Sequence, residues 1–353
     1  MKAIDADAHI DESEATWEYL DESEQALRPV GFELPQTTKG FSGFNARQNR
    51  MWIIGGNARL HRFRDDKQTQ TTQATRELLD IPERLRHMDQ LGIDVQVLYP
   101  TTLLHAVTSR PEVEAAVCKT YNRWIADRTS SSGGRLRWAA QIPMLDMEAA
   151  VKEARWAKDN GACCIMKRGV EFGQRSASDP YNFPLYEECN RLDLPIAFHQ
   201  GTADPTLSNA LDTARMAEFN VLSAFFHLAG AGIPDRFPKV RFGFVEAGAS
   251  WIPYLIKSLG MRGKAQKAGF DWKTGFLAHN RFYVTCDTED DLSAILPYGA
   301  EDHIMIGTDY SHADQSAEIR AHSVIMERGE KGQISKAAAQ KIVEDNGRAL
   351  YGL

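Results

Sequence analysis

The sequence lacks the features that direct a chain to a membrane or to a nucleic acid. It has no run of about 18 consecutive apolar residues, which a membrane-spanning helix needs. Lysine and arginine number 41 against 48 aspartates and glutamates, so the net charge is −7, whereas a nucleic-acid-binding surface is expected to be basic. We therefore expect no nucleic-acid partner and no membrane partner, and we predict a small-molecule ligand.

Cysteine is also scarce. The chain has five cysteines, an odd number, with no CxxC spacing, which argues against a disulfide framework and favours reduced thiols. Residues 1–9 lack the apolar segment and the small-residue cleavage site of a secretory signal. These features predict a cytoplasmic protein, and they leave open whether it forms a homo-oligomer.

Short apolar runs rich in β-branched residues are frequent, and they alternate with helical patterns as in a parallel sheet surrounded by helices. The predicted strands comprise residues 2–9, 95–99, 136–142, 162–166, 195–199, 240–245, 282–286 and 303–308. The predicted helices comprise residues 82–91, 111–128, 147–160, 184–192 and 334–351, the last of which we expect to close the barrel. Their count and order predict the α/β class, with one (β/α)₈ TIM-type barrel domain over residues 1–353.

A long polar insertion, residues 11–75, separates the first two predicted strands. It contains the sequence Gly40-Phe41-Ser42-Gly43 and a basic patch at residues 61–64, for which an ordinary solvated surface is the alternative. Loops at the carboxyl ends of barrel strands commonly carry function. We therefore predict that the insertion covers the mouth of the active site, with Arg62 or Arg64 contacting the ligand.

Polar side chains stand where several apolar strands end. Asp7 and His9 lie two residues apart on the first strand and so point the same way, while His199 ends the fifth strand and Asp309 the eighth. Singly, each has an ordinary alternative as a helix cap or a hydrogen-bonded structural residue. Together, two imidazoles and two carboxylates at one mouth predict a site for a single divalent ion, Zn²⁺, Mn²⁺ or Fe²⁺.

With these residues in place, the chain resembles the amidohydrolase superfamily, in particular the branch of aminocarboxymuconate-semialdehyde decarboxylase and its relatives that act on aromatic acids. The resemblance extends over nearly the whole chain and rests on motifs at residues 5–9, 197–199, 232–248, 307–310 and 345–351. It implies a metal-dependent barrel enzyme that functions in the catabolism of aromatic compounds.

Two departures from this family pattern bear on the chemistry. Asp7-x-His9 replaces His-x-His, and a hard oxygen ligand shifts the preference toward Mn²⁺ or Fe²⁺. Glu246 stands where the decarboxylases carry a catalytic histidine, and it could act as an acid near neutrality if burial raised its pKa. His227 is an alternative source of an imidazole, or else a structural histidine at the end of a helix, and Asp309 is a third candidate for proton transfer.

The residues that follow the strand ends are candidates for substrate binding, each with a solvated or packed role as its alternative. A cation could hold a substrate carboxylate. The candidates are Lys167, Arg168, Trp251, Tyr310 and His312.

The leading prediction for the reaction is non-oxidative decarboxylation of an aromatic or unsaturated carboxylic acid. The alternative is metal-dependent hydrolysis of an amide, a lactone or a ring-cleavage product, in which Glu246 would be the base. A non-catalytic binding protein on the same barrel is disfavoured, because all four predicted metal ligands are present.

Overall fold

The computed structural model of the protein describes residues 3–33, 50–60, 65–203, 217–263, 269–313 and 316–353. Eight parallel strands neighbour one another in the order in which they follow along the chain. They are β1 (Ile4–His9), β2 (Val95–Tyr99), β3 (Leu136–Gln141), β4 (Cys164–Arg168), β5 (Ile196–His199), β6 (Phe242–Val245), β7 (Phe282–Cys286) and β8 (Ile304–Ile306).

The first strand and the segment after the last one close the sheet. The backbone N–H of Asp309 donates to the carbonyl of Asp7 over 2.9 Å, and the N–H of His9 donates to the carbonyl of Tyr310 over 2.9 Å. These bonds join the two edges that an open sheet would leave exposed. The predicted TIM-type barrel class is thereby confirmed.

Helices surround the barrel. The longer ones are α1 (Ile81–Leu91), α2 (Pro111–Ser130), α3 (Met147–Asp159), α4 (Phe183–Leu192), α5 (Ala217–Gly230), α6 (Ile252–Gly263) and α7 (Ala321–Glu330). Shorter α-helical and 3₁₀ segments comprise Glu14–Trp17, Glu22–Leu27, Asp66–Thr69, Gln73–Arg76, Thr102–Leu104, Pro180–Asn182, Ile233–Arg236, Phe276–Asn280, Leu292–Ile295 and Leu296–Tyr298. No helix within the described ranges is both long and apolar enough to cross a membrane.

Local sequence explains where α1 begins and ends. The Asp80 side chain accepts a hydrogen bond from the N–H of Glu83 over 2.8 Å, which satisfies one of the free donors of the first turn. Gly92 ends the helix in the left-handed conformation, at φ +72°, which glycine adopts without strain. The chain can therefore turn directly from α1 into β2.

The two faces of the strands have different packing. Small and apolar side chains fill the interior, among them Ala6, Val97, Met166 and Met305. Larger residues on the outer face, such as Phe198, pack against the helices. This alternation follows from the two-residue period of a strand and gives the barrel a packed centre rather than a pore.

The chain ends beneath the barrel. Residues Lys336–Gln340, a π-helical segment Lys341–Asp345 and Asn346–Tyr351 follow one another, and Leu350 and Tyr351 join the interior cluster. The Tyr351 hydroxyl donates to the carbonyl of Ala6 over 2.8 Å. The final helix thus fills the end of the barrel opposite the carboxyl ends of the strands, as the sequence predicts.

The insertion after β1 carries an antiparallel sheet of three strands, Val30–Glu33, Arg50–Ile54 and Asn57–Leu60. A separate hairpin, Val170–Glu171 with Arg175–Ser176, follows β4. Gly40 to Gly43 and the basic patch with Arg62 and Arg64 lie outside the described residues.

Candidate metal centre

Five polar side chains meet at the carboxyl ends of the barrel strands. Asp7 and His9 come from β1, His199 ends β5, Glu246 directly follows β6, and Asp309 lies three residues after the end of β8. Each residue is at most 5% exposed. Burying so many ionisable groups is unfavourable unless opposite charges or a bound ion compensate them.

The ligand atoms in the described chain form two overlapping groups, each spaced to hold one ion: Asp7, His9, His199 and Glu246, and His9, Glu246, Asp309 and His312. His9 Nε2 is 3.3 Å from Asp7 Oδ1 and 3.4 Å from Asp309 Oδ1. His199 Nε2 is also 3.3 Å from Asp7 Oδ1. The structure therefore brings together all four residues that the sequence predicts as metal ligands.

The other nitrogen of each imidazole is held by a backbone carbonyl. His9 Nδ1 lies 2.7 Å from the oxygen of Pro100, and His199 Nδ1 lies 3.1 Å from that of Gln200. Because a carbonyl oxygen can only accept, each Nδ1 carries a hydrogen and each Nε2 of a neutral ring presents a lone pair to the centre. His9 Nε2 has no hydrogen-bond partner within the described residues, which fits a metal ligand.

The pKa values show that the cluster attracts positive charge. Burial alone would lower the pKa of His9, but the neighbouring carboxylates of Asp7 and Glu246 raise it to about 10. Burial would likewise raise the pKa of Asp7, but His199 and then His9 hold it well below its usual range. Without an ion the cluster therefore holds a proton, which a divalent ion would displace.

Two of the site residues have a strained backbone. Glu246 and Asp309 adopt positive φ angles of 57° and 51°, which non-glycine residues rarely adopt and which are concentrated at functional sites. Gly307 allows the close approach that follows β8, since a Cβ there would lie 2.3 Å from the Cβ of Asp7. The backbone after β8 is thus packed against Asp7, and the N–H of Asp309 donates to the Asp7 carbonyl.

Asp5 is a supporting residue that the sequence reasoning missed. Its carboxylate accepts hydrogen bonds from the N–H of Thr308 over 2.8 Å and from its hydroxyl over 2.6 Å, which fixes the residue next to Asp309. Gln200, also missed, donates through its amide to Glu246 Oε1. Asp5 lies inside the same Asp-x-Asp-x-His motif as Asp7 and His9, so its position was a usable signal, whereas Gln200 follows a ligand without any pattern of its own.

His312 and Tyr310 follow Asp309 but lie in different environments. His312 Nδ1 is 2.7 Å from Asp309 Oδ1, and its Nε2 is 3.1 Å from the hydroxyl of Thr101. The Tyr310 hydroxyl instead donates to Thr75 and lies 2.8 Å from His87 Nδ1, so it is engaged on the side of α1.

The two predicted cations are paired with acids. Lys167 Nζ lies 3.0 Å from Glu171 Oε1, and burial lowers the pKa of Lys167. Arg168 Nη2 lies 2.8 Å from Glu171 Oε2 and 3.8 Å from Glu114 Oε1. Both charges are thus already compensated within the protein.

Trp251 and His227 lie apart from the cluster. Trp251 Nε1 donates to the carbonyl of Ala247 over 2.9 Å, and its ring packs 4.9 Å from that of Phe225. His227 lies in the last turn of α5, with Nδ1 3.1 Å from the Ser223 hydroxyl. His227 does not belong to the groups of side chains in the described chain that are spaced to hold an ion.

Part of the insertion reaches the site. Gln68, Thr69 and Gln70 line a cavity of about 150 Å³ together with Asp309 and His312. This contact agrees with the prediction that the insertion lies over the mouth, although the cover role itself stays a prediction.

The fold and the site together define the class of protein: a TIM-type barrel whose mouth carries a donor set suited to a divalent ion. The chain belongs to the amidohydrolase family, whose family model, described as Amidohydrolase, matches residues 4–353. The predicted superfamily is thereby confirmed.

Relatives of this chain include decarboxylases. It is 26% identical to a gamma-resorcylate decarboxylase of a Polaromonas species over 304 residues, which cover 78% of this chain and 89% of that protein. It is 24% identical to a 2-amino-3-carboxymuconate-6-semialdehyde decarboxylase of Dictyostelium discoideum over 256 residues, 64% of this chain and 65% of that one. A crystal structure of an amidohydrolase from Mycobacterium avium subsp. paratuberculosis has the same fold, with a TM-score of 0.74, 19% identity and 99% of both chains covered.

Proposed function

We propose that the protein is a metal-dependent decarboxylase that removes CO₂ from an aromatic or unsaturated carboxylic acid without oxidation. The observation that carries this proposal is the buried donor cluster at the barrel mouth. The similarity to two decarboxylases supports the choice of reaction. A role in the catabolism of aromatic compounds is part of the same proposal.

Asp7, His9, His199 and Asp309 would hold one Zn²⁺, Mn²⁺ or Fe²⁺ ion, and their mixed nitrogen and oxygen donors fit such an ion. Asp7 and His199 belong to one of the two groups spaced to hold an ion, Asp309 belongs to the other, and His9 belongs to both. When bound, an ion of this kind polarises carboxylate and phenolate oxygens and lowers the pKa of water. The two backbone carbonyls on Nδ1 of His9 and His199 would keep both rings oriented toward it.

Decarboxylation also needs a proton. The bond between the carboxyl carbon and the substrate carbon breaks, its electron pair stays on the substrate carbon, and a proton takes the place of CO₂. Among the predicted donors, Asp309 and Glu246 lie in the cluster, whereas His227 lies on α5 with its Nδ1 beside Ser223. Position therefore favours Asp309 or Glu246 for this step.

The candidates for substrate contact differ in whether their polar groups contact a residue of the centre. His312 adjoins both Asp309 and the cavity with Gln68 and Gln70, so it has the strongest support. Arg168 ends β4 at the mouth and would bind a carboxylate only in competition with Glu171. The polar atoms of Lys167, Tyr310 and Trp251 contact Glu171, Thr75 and Ala247 rather than a residue of the centre, so these three have weaker support.

One observation favours a second candidate function. A glutamate, Glu246, stands at the site where the resemblance to the decarboxylases leads us to expect a histidine, and a carboxylate could serve as the base in hydrolysis. Hydrolysis of an amide, a lactone or a ring-cleavage product is therefore the alternative.

The test is to incubate the metal-loaded protein with hydroxybenzoates, muconates and lactones while recording CO₂ and acid release separately. We expect CO₂ from at least one carboxylic acid and none with the His199→Ala variant, which lacks a ligand. Acid release without CO₂ would support the hydrolase instead. If neither product formed with any of these compounds, the proposed substrate class would be wrong.

A further inference from the structure

We propose that Glu246 binds the metal ion directly, through Oε2, as a fifth protein ligand, and that it is therefore not the group that transfers the proton. This inference deepens the proposed function and rests on its metal centre. It assigns to Glu246 a role different from the acid or base that the sequence predicts.

Distances support the assignment. Glu246 Oε2 lies 3.2 Å from His199 Nε2 and 3.6 Å from His9 Nε2. Asp7 Oδ1 lies 3.3 Å from each of the same two nitrogens. Bonds of about 2.1 Å to a shared ion place neighbouring ligand atoms roughly 3.0 to 3.6 Å apart, for angles between about 90° and 120°. Glu246 Oε2 is therefore spaced as a ligand as well as Asp7 is.

The hydrogen-bonding pattern gives an independent reason. Because Nδ1 of His9 and of His199 each face a carbonyl, the neutral rings direct lone pairs at Glu246 Oε2. Oε2 is buried and has no hydrogen-bond partner within the described residues. Lone pairs that face one another in a buried site repel unless a positive charge lies between them. A proton on one imidazole relieves this repulsion for that ring alone, whereas a divalent ion supplies positive charge to all of these atoms at once.

The other oxygen of Glu246 is already engaged. Oε1 accepts hydrogen bonds from the amide of Gln200 and from the hydroxyl of Ser316, the latter over 3.4 Å. The backbone N–H of Glu246 donates to the hydroxyl of Thr285 over 3.0 Å, which holds the strained residue in place. With Oε1 bonded to the protein and Oε2 on the ion, neither oxygen is left to approach a substrate carbon.

A fifth ligand changes the charge of the centre. Asp7, Glu246 and Asp309 would bring three negative charges to one divalent ion, so the ion and its ligands would carry a net charge of −1. A set of three carboxylates and two imidazoles is harder than a histidine-rich set and favours Mn²⁺ or Fe²⁺ over Zn²⁺.

The experiment compares Glu246→Gln with a control, Asp287→Asn. Asp287 Oδ2 lies only 2.8 Å from where a Cβ on Gly248 would be, so it adjoins the loop that carries Glu246, and its replacement changes a neighbouring carboxyl group without removing a ligand. Ion affinity is measured by competition with a chromogenic chelator, and ligation by the visible spectrum of the Co²⁺-loaded protein. Loss of a supporting partner alone typically weakens binding about 10- to 100-fold. We expect at least that loss and an altered spectrum for Glu246→Gln, and a change below about 3-fold for Asp287→Asn.

The outcomes separate this inference from the proposed function. If Glu246→Gln bound the ion with wild-type affinity and spectrum but lost turnover, the metal centre would stand and Glu246 would be the acid or base, which overturns the inference alone. If the wild-type protein bound no ion, both proposals would fail. Should Glu246→Gln not fold, Glu246→Asp keeps the charge on a shorter side chain, and unchanged affinity and spectrum there would equally overturn the inference.

Discussion

The two ends of the barrel are stabilised in different ways. At the mouth, Asp7, His199 and Asp309 are buried although they are ionisable, and their burial is tolerable because opposite charges or an ion compensate them. At the floor, which is the end opposite the carboxyl ends of the strands, Leu350 packs among interior side chains such as Ala139 and Met305. There the burial of apolar area is itself the stabilising term. The same eight strands therefore support chemistry at one end and stability at the other.

Tyr99 connects the two ends. Its ring lies 4.9 Å from that of His199, and its hydroxyl lies 2.8 Å from the hydroxyl of Tyr351. Because the Tyr351 hydroxyl donates its hydrogen to Ala6, it is Tyr99 that donates to Tyr351. The floor thus supports the imidazoles from below without contributing a ligand.

The largest effect that we predict is on metal binding at the mouth. His199→Ala and Asp309→Ala each remove a predicted ligand, so we expect each to lose most of the bound metal, with affinity reduced at least about 100-fold, since the loss of a supporting partner alone costs up to that much. Metal content of the purified variants, measured by elemental analysis, is the readout. His227→Ala is the matched control, because His227 lies on α5 outside the cluster, and it should keep its metal. Full occupancy in His199→Ala or Asp309→Ala would show that the ligand set is wrong.

At the floor we expect a loss of stability with little change in metal affinity. Leu350→Ala leaves a cavity among fully buried neighbours, which typically costs about 2–5 kcal/mol in the free energy of unfolding. Denaturant unfolding gives this value, and chelator competition on the folded variant should give an ion affinity within about 3-fold of wild type, because no ligand or supporting partner is lost. A large loss of affinity in Leu350→Ala would mean that the two ends are not separable.

Much of the site could be predicted because its residues interrupt apolar strands. The hydrophobic pattern places β2 and β7 at the observed bounds, and it leaves Asp7, His199 and Asp309 at strand ends, where parallel order brings them together. The pattern carries no information about which side chains pair across the barrel. The two hydrogen bonds from Thr308 to Asp5 are therefore seen only in the structure.

Lys167 shows how much depends on where a strand begins and ends. The sequence predicts a strand over residues 162–166, which leaves Lys167 as the first residue of a loop at the mouth. The observed strand comprises Cys164–Arg168, and Cys164 and Met166 face the interior. Alternation then directs Lys167 to the outer face, where Glu171 neutralises it. A shift of two residues at the strand end is enough to change the environment of a candidate site residue.

The last prediction is a pH dependence of stability that we expect from the mouth and not from the floor. Burial raises the pKa of Glu114 from 4.5 to about 7, against the opposing effect of Arg168. Because the folded-state pKa is the higher one, the native protein holds a proton that the unfolded chain releases between these two values. The free energy of unfolding should therefore fall as pH rises through that window, by at most about 1.4 kcal/mol per pH unit from this group.

Glu114→Gln removes this titration and keeps an acceptor for the N–H of Leu145, which the Glu114 carboxylate accepts over 2.7 Å. Denaturant unfolding between pH 4.5 and 8 should show the stability of Glu114→Gln relative to wild type rising up to about pH 7 and then levelling off. Leu350→Ala is the control from the floor, because an apolar cavity has no proton to exchange, and its loss of stability should be the same at every pH. If the Glu114→Gln and wild-type curves ran parallel across the range, Glu114 would be ionised in the folded protein, and Arg168 would compensate its burial more fully than the raised pKa implies.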